Sequence, residues 1–145
     1  EFAKLYLELG NNEEAISRVK REILTHPQSP DAYVMLGMLS LRAGNENEAL
    51  VNYQKGLELN PNHFEALLGQ AQATRKRGSP EGAIHILRKA QSLDPENPRV
   101  YRELGYSYQE AGKYKFAKEA LENYLKLDPS SSDREEVLQK LNSLK

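Results

Sequence analysis

The chain has 145 residues, 39% hydrophobic and 28% charged, with a net charge of −1; it is long enough for one ordinary domain, too apolar for a disordered chain and too polar for a membrane protein. No apolar run approaches the ~18 residues a spanning helix needs, none resembles a signal-peptide core, and no net field draws the chain to nucleic acid or anionic lipid. The absence of Cys removes disulfides, thiolate metal sites and thiol catalysis.

In chain order, helices are predicted at 1–9, 12–25, 30–43, 46–59, 64–77, 80–92, 98–111, 114–127 and 132–144. Tyr33, Leu36, Gly37 and Ser40 fall on one face of the third. Gly44 then stops it, because glycine enters the left-handed conformation cheaply. Ala49, Leu50, Tyr53 and Leu57 continue at helical spacing until Pro61, which cannot extend a helix. Pro30, Pro80 and Pro98 each follow Ser or Asn, the order of an N-cap and a first helical residue. The last helix opens on Ser132 with Glu135 three residues on, a capping-box pattern, and then carries Val137, Leu138, Leu141 and Leu144 as one apolar stripe.

The elements recur. Gly10, Gly44, Gly78 and Gly112 stand 34 residues apart, as do Ala15, Ala49, Ala83 and Ala117, and Pro27, Pro61, Pro95 and Pro129. Such a period implies stacked supersecondary units. Each unit is a pair of helices joined at its Gly, with Gly37, Ala71 or Gly105 facing Ala49, Ala83 or Ala117 where small residues let two helices cross closely.

Residues 98–131 supply Tyr101, Leu104, Gly105, Tyr108, Gly112, Ala117, Leu121, Tyr124 and Pro129, and 30–63 and 64–97 repeat the order. This resembles the tetratricopeptide repeat (TPR) family. Ser40 and Thr74 for Tyr, Gln70 for Leu, and Gly56 and Tyr124 for Ala depart from the family pattern. The resemblance implies an all-α, right-handed superhelix (an α-solenoid) of antiparallel helix hairpins. Its expected parts are a partial repeat at 1–29, repeats at 30–63, 64–97 and 98–131, and a capping helix in 132–145. Phe2, Ala3 and Tyr6 match the middle of a first helix, so the chain is read as starting part-way through a repeat, either as a piece of a longer array or with "EF" as a cloning scar. The apolar-inward, polar-outward last helix is read as a natural end.

Catalytic chemistry is not expected. His26 and His63 fall in turns between repeats, His85 on a polar helix side, and no His spacing suits a metal. Ser130, Ser131 and Ser132 read as loop and cap, and the glycines form no phosphate loop. The basic "RKRG" at 75–78 reads as a helix C-terminus complementing the helix dipole. No enzyme activity, cofactor or metal is therefore assigned.

In the TPR family the first helix of each repeat lines a concave face, and four outward positions on it are expected to meet a partner. Here they are Asp31, Val34, Met38 and Leu41, then Glu65, Leu68, Gln72 and Arg75, then Arg99, Arg102, Tyr106 and Gln109, with Lys4 and Leu7 from the partial repeat. They form an apolar strip passing into an Arg–Tyr patch, suited to a peptide with an apolar segment and an acidic group. A neighbouring repeat covering some of these positions is the alternative account. The basic residues that clamp chaperone tails in other TPR arrays are absent, because Met38, Leu68 and Gln72 occupy their places. The expected function is an adaptor or scaffold binding a protein segment or helix in the concave groove, with no nucleic-acid partner and no membrane insertion. Two alternatives are a non-catalytic targeting domain of a larger enzyme and a scaffold self-associating through its truncated N-terminal face.

Overall fold

The computed structural model describes residues 11–144. The expectations for helix 1–9, Gly10, Phe2, Ala3, Lys4, Tyr6 and Leu7 lie outside the described residues. Within them are eight helices and no strand: α1 (Asn12–Thr25), α2 (Pro30–Arg42), α3 (Glu46–Leu59), α4 (Phe64–Lys76), α5 (Pro80–Leu93), α6 (Pro98–Glu110), α7 (Tyr114–Leu127) and α8 (Arg134–Ser143). The chain divides into two compact units, one running to Ala73 and the other beginning at Thr74. In the first unit α2 packs along α3 and against α1; in the second α6 packs along α7 and against α5, and α8 lies on α7.

Local chemistry accounts for the helix ends. Ser29 Oγ accepts from the Ala32 amide at 3.3 Å, and Asn97 Oδ1 from the Arg99 amide at 3.1 Å, each ahead of a first-turn proline. Ser79 precedes Pro80 in the same way but makes no side-chain cap. After α2, Gly44 stands at φ 79°; its amide reaches Leu41 O at 3.1 Å while the Asn45 amide reaches Ser40 O at 2.9 Å. This double bond pattern is a Schellman turn. Gly112, at φ 72°, closes α6 in the same manner: its own amide reaches Gln109 O and that of Lys113 reaches Tyr108 O.

The capping box at Ser132 does not form. Helix α8 starts at Arg134 after Asp133, which makes no side-chain cap; its carboxylate instead accepts from the Tyr124 hydroxyl and from Arg102 Nη1. A buried phenol and a guanidinium outcompete the helix amides for this acceptor.

Small residues set the packing. Tyr53 on α3 is fully buried, and a Cβ on Gly37 would lie 2.9 Å from its ring. The hydroxyl end of the same ring meets Gly69 on α4 so closely that a Cβ there would overlap Tyr53 Cζ. In the second unit Leu121 occupies the comparable place against Gly105. Ala49, Ala83 and Ala117 are fully buried, as crossing points require.

Candidate functional site

The outward face of the first helices is built separately in each unit. In the first unit it is narrower than the sequence suggests. Val34, Leu41 and Leu68 are only 3%, 8% and 1% exposed. Val34 and Leu41 join Ala49, Tyr53, Ala66 and Ala73 in one core cluster, and Val34 Cγ2 fills the space a Cβ on Gly56 would need. The expectation that these three form a solvent-facing apolar strip is therefore corrected: packing between neighbouring helices consumes them. Met38 remains outward at 37% exposure, and Gln72 is half-buried. Asp31, also exposed, meets His63 Nε2 at 2.8 Å. His63 Nδ1 in turn accepts from the Ala66 amide at 3.3 Å, so this turn histidine caps α4. That tautomer leaves the proton on Nε2, which donates to Asp31.

In the second unit Arg75, Arg102, Tyr106 and Gln109 are half-buried and Arg99 is exposed. Arg75 Nη1 donates to Glu110 at 2.6 Å and its Nη2 to Glu103 at 3.4 Å. Arg102 meets Asp133 at 3.2 Å and Glu103 at 3.8 Å. Two guanidinium groups thus face three carboxylates, one of them, Glu103, buried. The positive charge that the sequence offered to an acidic peptide is already compensated within the protein. Tyr106 lies between two cations, with Arg75 Cζ 5.7 Å and Lys140 Nζ 5.1 Å from its ring centre. Burial, followed by the charges of Glu136 and Asp133, pushes its phenol up to about 12. Burial alone would raise the Asp133 carboxyl too, but hydrogen bonds from Tyr124 and Arg102 outweigh it and hold Asp133 below the usual carboxylate range.

Lys140, Asp133 and Glu103 were missed as participants by sequence reasoning. They lie on α8, on the turn before it and on the inner side of α6, outside the outward positions that were read. Among the described residues no group of three or more His, Asp or Glu side chains is placed to hold a metal. None of their helices is long and apolar enough to cross a membrane.

The sequence model of the family described as the cytochrome c-type biogenesis protein H TPR domain matches residues 3–135. The chain belongs to that family. Its fold is the all-α solenoid of TPR proteins, as solved structures show. One, described as MamA 41-end from Desulfovibrio magneticus RS-1, has a TM-score of 0.81 at 22% identity, over 99% of this chain and 90% of that one. TTC0263, a thermophilic TPR protein in Thermus thermophilus, has a TM-score of 0.81 at 22% identity, over 99% and 77%. YrrB, described as a TPR protein with an unusual peptide-binding site, has a TM-score of 0.81 at 19% identity, over 94% and 71%. No curated protein sequence matches the chain.

Proposed function

We propose that this TPR chain is a non-catalytic protein-interaction module that holds a segment of a partner polypeptide against the outward faces of its first helices. The observation that carries this reading is Tyr106. A large amphipathic ring is held at the surface of α6 by Arg75 and Lys140, with Gln109 beside it one turn away and Arg99 two turns before it. Fixed aromatic side chains with polar neighbours are the usual anchors of interfaces. On α2 the exposed thioether of Met38 offers an adaptable apolar contact. Because Arg75 and Arg102 are already paired, the partner segment is held by aromatic and apolar contact and by hydrogen bonds more than by its own negative charge.

The family description makes proteins of c-type cytochrome biogenesis the first candidates to test. The chain is used to capture partners from its own cells, and a captured protein is then titrated against purified wild type, Tyr106→Ala, Met38→Glu and the paired variant Arg99→Glu with Gln109→Ala. The expected result is a loss of about tenfold or more for Tyr106→Ala and for the paired variant, with unchanged helicity by circular dichroism. Equal affinity for all variants would overturn the proposal. Partner-free complexes whose mass grows with concentration would favour self-association instead.

A further inference from the structure

Helices α1, α3, α5 and α7 are second helices of the 34-residue repeat, and their opening residues correspond as Asn11–Ile16, Asn45–Leu50, Ser79–Ile84 and Lys113–Lys118. The first three read NNEEAI, NENEAL and SPEGAI: a polar cap, acidic residues and a half-buried aliphatic at the end. The fourth reads KYKFAK. Only the crossing alanine is kept. Two lysines, Lys113 and Lys115, stand where helix electrostatics favours acids. The half-buried aliphatic of the other three is replaced by the exposed Lys118. The fold does not require this, since α1, α3 and α5 form without it.

The side chains are placed outward. Tyr114 and Phe116 are 51% and 49% exposed, and Lys113, Lys115 and Lys118 are exposed. None of the three lysines has an ion-pair partner among the described residues. Phe116 does not hang loose: its ring rests 5.4 Å from that of Tyr108, whose hydroxyl accepts from Arg88 Nη2 at 2.7 Å. Two aromatic rings, one braced, thus stand among unspent positive charges, unlike the compensated arginines of the α6 face.

We propose that this lysine–aromatic patch on α7 is a second docking surface, and that its occupant is an acidic segment of a partner protein carrying apolar side chains between its carboxylates. Charge complementarity selects the acid, and the rings supply the apolar anchors. A membrane surface fits less well: recognition of anionic lipid takes clusters of about four to eight basic residues. Here three lysines are followed by the exposed acids Glu119 and Glu122. Nucleic acid would need a broader basic stripe than this.

The test uses the isotope-labelled chain followed by amide NMR. The probes are a short synthetic peptide of Glu and Leu, its Gln-for-Glu counterpart, and phosphatidylserine vesicles. The Glu–Leu peptide is expected to shift the amides of residues 113–118, and the Gln peptide is not. In Lys115→Glu with Lys118→Glu the affinity for the acidic peptide should fall about tenfold or more. The melting temperature should hold or rise, because the substitution of Lys115 puts an acid at the first-turn position that Glu13 and Glu81 occupy in α1 and α5. Phe116→Ser should also weaken binding, which separates the ring from the charge. No shifts at 113–118, equal response to both peptides, or lysine-dependent vesicle binding without peptide binding would each overturn the proposal. Because the residues differ from those tested on α6, either surface can fail without the other.

Discussion

Tyr53 in the first unit and Tyr124 in the second are both buried tyrosines on the second helix of a hairpin, yet their surroundings differ in kind. Tyr53 is closed in by glycines, Gly37 against the inner part of its ring and Gly69 against the hydroxyl end, and burial together with Glu65 drives its phenol far above the ordinary range. Tyr124 stands one helical turn later in its repeat, where the first unit has Gly56, and Leu121 fills the place that Tyr53 takes. Its hydroxyl donates to Asp133, with Arg102 over its ring at 5.8 Å. One tyrosine joins two helices by shape alone. The other ties the last helix down through a charged network. The first kind of joint is indifferent to acid and weakens only in alkali strong enough to ionise an exposed phenol; the second depends on a carboxylate and so fades in acid.

The largest effect is expected at the shape joint. Tyr53→Ala leaves a cavity between three helices and should cost about 3–5 kcal/mol, measured by urea unfolding. A cost under about 1 kcal/mol would mean that the glycines do not hold the ring as described. Next is Gly112→Val, which forces a β-branched residue to φ 72° and should cost about 1–3 kcal/mol, lowering the melting temperature; an unchanged melt would count against the Schellman turn.

Asp133→Asn should come third, at about 1–3 kcal/mol, by weakening the acceptor for Tyr124 and Arg102. Its pH signature separates the two joints. The Asp133 pKa is lowered by folding, so its contribution is complete above the ordinary value of 3.8 and fades as pH falls below it. Wild type should therefore lose stability at acid pH more steeply than Asp133→Asn, whereas Tyr53→Ala and wild type should have parallel acid profiles. Coincident slopes for wild type and Asp133→Asn would remove the carboxylate from the joint. The smallest stability effect belongs to Met38→Glu, an outward residue, expected within about 0.5 kcal/mol of wild type while partner binding falls.

The helices and their turns were legible because their signals are local. Gly44 and Gly112 mark left-handed stops, Ser29 and Asn97 caps, and Ala49 and Ala117 crossings, and each acts on residues within a turn or two. The outward face was legible only in part. Met38 is exposed and Tyr106 half-buried, but Val34, Leu41 and Leu68 share the same helical register and are buried. Register says which way a side chain leaves its helix. It does not say whether another helix lies there.

From its sequence alone, then, this protein is an all-α TPR chain whose helix pairs turn at every thirty-fourth residue, on a glycine, since caps, stops and crossings depend on residue types at fixed short spacing. Only the tertiary structure decided which outward positions stay outward and which charges remain unspent. Burial and ion pairing are set by partners far apart in the chain: Arg102 finds Asp133, Arg75 finds Glu103 and Glu110, and Lys113, Lys115 and Lys118 find none among the described residues.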